Sequence, residues 1–371
     1  MPGLINCHTH LPMYLLRGYA DDLNLQDWLE HYIFPREDRL DGRAVKAATT
    51  LAIAECVCAS ATTSVSGYVL FLRRDLPRPW PSPASRRISP AARPCSWATI
   101  SDFDTFPACR ELVELKDKWH NYDNGRIKIE ASIHAEYTST YQLWDALAEY
   151  AINNGLQLQV HLSETKKEHD ECVEKYGLTP AQVLDCHHVF DVPTVAAHCV
   201  HVTQEDMQLL AKRHVSAAHC PVSNLKLASG CADVLGMVKA GMNVASARTR
   251  SRPNNNLDLF EEIKRRCRSW ARRAKPAIPT ALPAEAALDD GDGLRRAGAG
   301  ARAPECGMLR GSAWTPTSCA AGLHRSRISF PCHNVLSHVW STLASGHDVA
   351  LTHGARAESS TPTANIPTHR H

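Results

Sequence analysis

Residues 141–161, YQLWDALAEYAINNGLQLQVH, contain a complete helix–turn–strand unit. Apolar residues recur at helical spacing up to Ala151, and Gly155 is the kind of residue that ends a helix in the left-handed conformation. Residues 156–160 then alternate between apolar and polar side chains, as a half-buried strand does, and lead directly into His161. This unit predicts a surface helix followed by a strand that ends on a histidine.

Three more units show the same ending. Residues 126–134, 194–198 and 215–219 each predict a short apolar strand that stops on histidine, with capped helical patterns between them. Near the start, a strand at residues 4–7 runs into His8-Thr9-His10. The alternation of strands and helices favours parallel crossovers, in an open doubly wound sheet or in a barrel. Because the strand ends of a closed barrel meet at one rim, the recurring histidines favour an α/β fold of the (β/α)8 TIM-barrel type with a site at that rim.

The histidine pair near the start is the first candidate for metal binding. His8 and His10 lie two residues apart, so an extended chain points both imidazoles to the same side. Neutral histidine nitrogens are common zinc ligands, although a lone pair at this spacing more often has a structural role. The position directly after an apolar strand favours a metal site. Glu164, three residues beyond His161, is either the base that a catalytic zinc needs or a loop glutamate that faces solvent.

The other predicted strands end on His134, His198 and His219. His198 follows a run of small apolar residues, so its ring needs a polar partner or a bound ligand. Each of these histidines serves the same rim site or is a hydrogen-bonded core residue, and the residues by themselves leave both alternatives open.

Composition excludes several classes of protein. The 371 residues are enough for one large α/β domain with a small appendage. The formal net charge of +2 gives no electrostatic footprint for nucleic acid, and no apolar run approaches the roughly 18 residues that cross a membrane. The N-terminus lacks a secretory signal and the 14 cysteines are scattered, so we expect reduced thiols and a cytoplasmic location. Whether the chain forms a homo-oligomer stays open.

The histidines belong to longer motifs that resemble the amidohydrolase superfamily, and within it the 5-methylthioadenosine/S-adenosylhomocysteine deaminases. The resemblance covers residues 1–70, 97–245 and 254–264 well, with shorter fragments beyond. The motifs that carry it are PGLINCHTHLPM (2–13), LRGYADDL (16–23), PRE (35–37), HLSET (161–165), AHCVH (197–201), SNLKL (223–227) and NNNLDL (254–259).

The resemblance implies a distorted barrel that holds one divalent metal, usually zinc. His8, His10 and His161 would be the metal ligands. Glu164 would move the proton of an activated water, and His198 would polarise or hydrogen-bond that water. The water would attack C6 of an adenine ring, and ammonia would leave with a proton from the glutamate.

The resemblance also implies how a small nucleoside substrate is held. Glu37 and His134 match family positions that hold the nucleoside. The lysine of the strand that ends at His134 is Lys128, near the strand's start, so we expect a single metal and no carboxylated lysine between two metals. Two other classes stay open. One is an amidohydrolase that acts on guanine, cytosine or a triazine, as a deaminase or a chlorohydrolase, and the other is a catalytically dead fragment.

One departure from the family pattern falls on a functional position. After the strand predicted at residues 242–245, the family has an aspartate that is both metal ligand and base. Here Thr249 stands at that position, between Arg248 and Arg250. A hydroxyl in place of an anionic ligand, flanked by two cations, should weaken zinc binding and disturb the pKa of a bound water. We therefore expect the family's fold with little or no turnover.

Two arginine-rich stretches interrupt the resemblance. Residues 73–94 mix arginines with prolines that forbid helix and central strand, and residues 246–311 contain twelve arginines. These stretches are either long basic loops or disordered insertions, or they are products of a shifted reading frame. We favour the shifted frame because recognisable motifs resume abruptly on either side.

The expected organisation follows from these boundaries. Residues 1–311 would form the metal-dependent hydrolase barrel, matching poorly at 71–96 and 246–311. Residues 312–371 would form a remnant of a small β-domain and a C-terminal tail. We expect an incomplete barrel, because no last strand is recognisable between residues 269 and 311. The chain also starts at the first barrel strand, without the leading half of the small β-domain.

Overall fold

Parallel strands form the centre of the fold. The computed structural model describes residues 4–20, 23–58, 61–66, 85–88, 91–92, 103, 107–122, 127–247, 259, 262, 317–319 and 349–352. Within these residues the parallel strands are β1 (Leu4–Thr9), β2 (Ala61–Ser66), β3 (Ser85–Ile88), β4 (Ala91–Ala92), β5 (Ile127–Ile129), β6 (Ala131–Ile133), β7 (Leu158–Leu162), β8 (Thr194–His198), β9 (Ser216–His219) and β10 (Asn243–Ser246).

The strands follow one another around a ring. One sheet has the order β1-β2-β3-β5, and a second has the order β10-β9-β8-β7-β6-β4. β3 pairs with β5 and β4 pairs with β6, so β3–β4 and β5–β6 are two strand positions that each break once. β10 contacts β1, and Cys7 of β1 belongs to one buried cluster with Ala245 of β10 and Ala218 of β9. The ten strands described here thus fill eight positions of a barrel, in agreement with the predicted (β/α)8 type, whereas the sequence leads us to expect an incomplete barrel.

Two stretches differ from the sequence-based expectation. Residues 243–246 lie beside β1, in the position of the last barrel strand. The sequence leads us to expect that strand between residues 269 and 311, which lie outside the described part of the chain. The expectation of loop or disorder throughout residues 71–96 is wrong where β3 and β4 lie. The prolines at positions 77–83, which exclude a central strand, all precede β3. Within residues 312–371, the two described strands, β11 (Thr317–Cys319) and β12 (Val349–Thr352), pair in antiparallel fashion.

Helices alternate with the strands and begin where cap residues stand. Thr165, Thr179 and Thr203 each accept a backbone N–H three residues further on, as an N-cap does. Gly155 ends the helix before β7 with a φ of +59°. No described helix combines the length and apolar character needed to cross a membrane. The helices are α1 (Leu25–Asp27), α2 (Phe34–Glu37), α3 (Gly42–Cys58), α4 (Pro107–Trp119), α5 (Tyr141–Asn154), α6 (Lys166–Tyr176), α7 (Pro180–Cys186), α8 (Gln204–Lys212), α9 (Pro221–Lys226) and α10 (Val234–Lys239), with 3-10 turns at Leu11–Leu16 and Glu136–Thr138 and a π-helical turn at Trp28–Ile33.

The main hydrophobic core lies between the barrel wall and the helices. In β7, Leu158, Val160 and Leu162 belong to this core together with Trp144 of α5. Successive side chains of a strand point to opposite faces, so His161 points to the inner side of the wall. The strand pattern therefore carries this imidazole towards the barrel interior.

Candidate functional site

Three histidines converge at the carboxyl ends of two strands. His8 and His10 come from the end of β1, and His161 comes from β7. The nitrogen atoms that these residues offer to a metal all lie within 4.8 Å of one another. His10 Nε2 and His161 Nε2 are 3.2 Å apart. The structure therefore brings together the three imidazoles that the sequence marks as ligands.

Hydrogen bonds determine which ring nitrogens carry protons. His161 Nδ1 lies 2.6 Å from the backbone oxygen of His134 and donates its N–H to that oxygen. His198 Nδ1 lies 2.7 Å from Asn224 Oδ1 and donates in the same way. Assigned from these acceptors, the tautomers leave Nε2 of both rings with a free lone pair.

The converging rings are neutral at neutral pH. Burial, reinforced by the neighbouring imidazoles, holds the pKa of His8 and of His10 well below its usual range, and burial lowers the pKa of His161 to about 3. His8 Nε2 is buried and makes no hydrogen bond within the described residues. A buried polar atom of this kind is unfavourable unless something binds it. Three neutral nitrogens in this arrangement fit a divalent metal such as zinc.

Glu164 and His198 lie next to this cluster. The centroid of the His198 ring is 5.5 Å from that of His161 and 5.8 Å from that of His8. Glu164 Oε1 lies 3.4 Å from His198 Nδ1, and both side chains are buried. Burial raises the pKa of Glu164 to about 8 and lowers the pKa of His198 to about 4, so near pH 7 this contact joins two neutral groups.

The backbone at His198 is unusual. His198 has a φ of +72°, in the left-handed region that residues with side chains adopt only when the surroundings enforce it. Its Nδ1–H bond to Asn224 is one such constraint. The strand end therefore turns sharply at the residue whose ring faces the histidine cluster.

Two further buried residues are candidates for holding a nucleoside. His134 lies next to His161, and Glu37 lies in α2. The His134 ring centroid is 4.8 Å from that of His161, and its Nδ1 is 3.0 Å from Thr138 Oγ1. Glu37 is buried at the end of α2, and Phe34 of the same helix contacts the His134 ring. The two residues matched to nucleoside binding are thus connected through α2.

Some sequence candidates do not join the cluster. His219 is buried at the end of β9 but is not part of the three-histidine group. Lys128 hydrogen-bonds Asn121, at the amino end of its strand. Thr249, Arg248 and Arg250 lie outside the described residues.

The sequence does not identify two residues that hydrogen-bond groups of this site. Asn224 orients His198, and the sequence offered only its place in the SNLKL motif. Glu168 accepts backbone N–H groups around Glu164, and the local signal for it was the Thr165-x-x-Glu168 capping-box pattern.

Comparisons with known proteins agree with this geometry. The sequence profile of the Amidohydrolase family matches residues 1–281. A 5-methylthioadenosine/S-adenosylhomocysteine deaminase of Caldanaerobacter subterraneus subsp. tengcongensis is 40% identical over 266 residues, which cover 71% of this chain and 60% of that protein. A protein of the same name from Dictyoglomus turgidum is 32% identical over 361 residues, which cover 95% of this chain and 80% of that protein. Among solved structures, an adenosine deaminase from Xanthomonas campestris with bound zinc is 30% identical, with a TM-score of 0.79 over 96% of this chain and 79% of that chain.

The chain spans 60% of the length of the Caldanaerobacter relative. The profile match nevertheless includes both ends of the histidine cluster, from His8 to His161, and most of the barrel. With its parallel barrel and its rim histidines, this chain belongs to the amidohydrolase family.

Proposed function

We propose that this chain is a zinc-dependent hydrolytic deaminase that acts on the adenine ring of nucleosides, with low turnover because of Thr249. S-adenosylhomocysteine and 5-methylthioadenosine are the proposed substrates. The observation that carries the proposal is the convergence of His8, His10 and His161 beside His198. The names of the relatives, which are deaminases of these nucleosides, support the choice of substrate.

The metal would be held by the lone pairs of the three neutral imidazoles. A divalent metal bound there supplies a Lewis acid that lowers the pKa of water towards about 7. His198 Nε2 has a lone pair, since Nδ1 carries the proton, so this ring accepts a hydrogen bond and orients the attacking water.

Glu164 is the group that moves protons. Its buried carboxyl group, with a pKa raised to about 8, gains or loses a proton near neutral pH. The carboxylate takes one proton of the attacking water and delivers it to the leaving amine, so the C6–N bond breaks and ammonia departs. The second proton of that water moves from the C6 hydroxyl to ring N1 as the new carbonyl forms. Two buried residues would hold the nucleoside. Glu37, which only accepts hydrogen bonds when ionised, suits the sugar hydroxyls, and His134 presents its Nε2 to the base.

A panel of aminated substrates tests the proposed function. We expect the zinc-loaded chain to convert S-adenosylhomocysteine or 5-methylthioadenosine slowly to the inosine product, with one ammonia released per product. Guanine, cytosine and an aminotriazine should release no ammonia. The measurement is product formation by chromatography together with an ammonia assay at high enzyme concentration.

Two results would contradict this account. Ammonia from guanine, cytosine or the triazine, without turnover of either nucleoside, would reject the substrate. Nucleoside turnover at an ordinary enzymatic rate, about 10 per second, would reject the limiting role of Thr249.

A further inference from the structure

Glu168 is a buried carboxylate that the proposed reaction does not use. Only 2% of its surface is exposed. Its Oε1 accepts the backbone N–H of Ser163 at 2.7 Å. Its Oε2 accepts the N–H of Glu164 at 2.7 Å and that of Thr165 at 3.4 Å. A capping box accounts only for the contact with Thr165, so the two shorter hydrogen bonds are additional.

These amides belong to the segment between β7 and α6 that carries Glu164. Ser163 has a φ of +46°, in the left-handed region that is unfavourable for residues with a side chain. Both side-chain oxygens of Glu168 accept backbone N–H groups of this segment, so the contact does not depend on a single hydrogen bond. One side chain therefore fixes three successive peptide groups in a conformation that this segment does not favour by itself.

A second contact holds the same segment from α1. Gln26 Nε2 donates to Thr165 Oγ1 at 3.0 Å, and Thr165 Oγ1 also accepts the N–H of Glu168 at 3.1 Å. Gln26 lies in the part of the chain that leads to Glu37. The segment around Glu164 is thus joined to the part of the chain proposed to hold the nucleoside.

We propose that Glu168 is a positioning residue for Glu164. Its carboxyl group holds residues 163–165 so that Glu164 Oε1 stays 3.4 Å from His198 Nδ1, next to the histidine cluster. Glu168 acts through the backbone and not on the substrate. The proposal rests on the proposed function, because only there does the orientation of Glu164 serve proton transfer.

The test compares Glu168→Gln with a matched control on the same helix. Glutamine keeps one acceptor oxygen but presents a donor in place of the other, so an N–H group faces a backbone N–H group. The control is Glu171→Gln, since Glu171 is exposed and its contact is an ion pair with Lys167 at 3.7 Å. Aspartate at position 168 is a second variant, which keeps the carboxyl group but withdraws both oxygens by about 1.5 Å, one carbon–carbon bond.

Two readouts separate positioning from general structural support. The first readout is hydrogen–deuterium exchange at residues 163–165 in metal-free protein. Exchange should be about tenfold faster in Glu168→Gln than in the natural chain, and it should be unchanged in Glu171→Gln. In a Thr249→Asp background, kcat should fall about tenfold for Glu168→Gln, while KM and zinc content stay within about twofold. Glu168→Asp should likewise raise the exchange rate at residues 163–165 and lower kcat.

The outcomes are decisive in each direction. Exchange and kcat equal to those of Glu171→Gln would overturn the proposal. A loss of zinc or a rise in KM that accompanies the fall in kcat would also overturn it, because Glu168 would then support the whole site. If neither nucleoside is turned over by any variant, the proposed function fails, and the exchange measurement alone decides whether Glu168 holds the segment.

Discussion

Replacing Thr249 with aspartate is expected to raise zinc affinity by about a hundredfold and nucleoside turnover by a similar factor. The three converging imidazoles are neutral, because burial and mutual repulsion keep their pKa values low. An aspartate would add a negative charge to this set and a second base near the reacting water. Even groups that only orient metal ligands change affinity by about 10- to 100-fold, so a new ligand should act at least as strongly. Zinc competition titrations and initial rates of inosine-product formation measure the two effects.

Thr249→Asn is the matched control for this change. Asparagine has nearly the shape of aspartate but no charge, and it should give little gain in either quantity. Equal gains from Asn and Asp, or no gain from Asp, would show that position 249 does not replace the family's metal-binding aspartate.

Replacing Glu164 with glutamine in the Thr249→Asp background is expected to lower kcat by about 10²- to 10⁴-fold, the usual contribution of general acid–base catalysis. Zinc content should not change, since Glu164 contacts His198 and not the three proposed ligands. Steady-state kinetics and metal analysis of the same samples test the prediction. Glu171→Gln should retain full activity, and turnover by Glu164→Gln within about tenfold of its parent would remove Glu164 from the proton-transfer role.

The same variant has a pH signature that does not need turnover. Burial raises the pKa of Glu164 to about 8, above the value of about 4.3 in an unfolded chain. The folded state therefore favours the protonated form, and the stability from this group is complete below about pH 4.3 and lost as the pH rises through about 8. Between about pH 5 and 8, the metal-free natural chain should lose more stability than Glu164→Gln in urea unfolding. Parallel stability curves for the two chains would contradict the raised pKa.

The sequence predicts the ends of the strands better than their starts. The predicted ends at His198 and His219 agree with β8 and β9. The strand starts predicted at positions 156, 215 and 242 precede the observed starts of β7, β9 and β10. Each of these three residues still donates its N–H to the preceding helix. The bonds run from Leu156 to Ala151, from Val215 to Leu210 and from Met242 to Met237. This closure belongs to the helix C-terminus, and an apolar residue there has the same pattern as the first residue of a strand.

The three converging histidines of the site could be predicted, but the residues that orient the neighbouring groups could not. Histidines at strand ends share a rim because barrel topology brings those ends together. The resemblance to the amidohydrolase superfamily then selects His8, His10 and His161 among them. Asn224 acts on His198 across 26 residues of chain, and nothing local in the sequence marks that contact. Glu168 shows a local capping pattern, but its bonds to Ser163 and Glu164 depend on how the segment folds back.

The zinc content of the natural chain, compared with that of His161→Ala, tests the central claim most directly. We expect about one zinc per natural chain, with X-ray absorption showing nitrogen ligands at about 2.0–2.1 Å, and much less than one zinc in His161→Ala. His188→Ala is the control, because His188 is exposed and pairs with Asp191 away from the cluster. Zinc retained by His161→Ala at the natural level, or no zinc bound by the natural chain, would contradict a single metal shared by imidazoles from both strands.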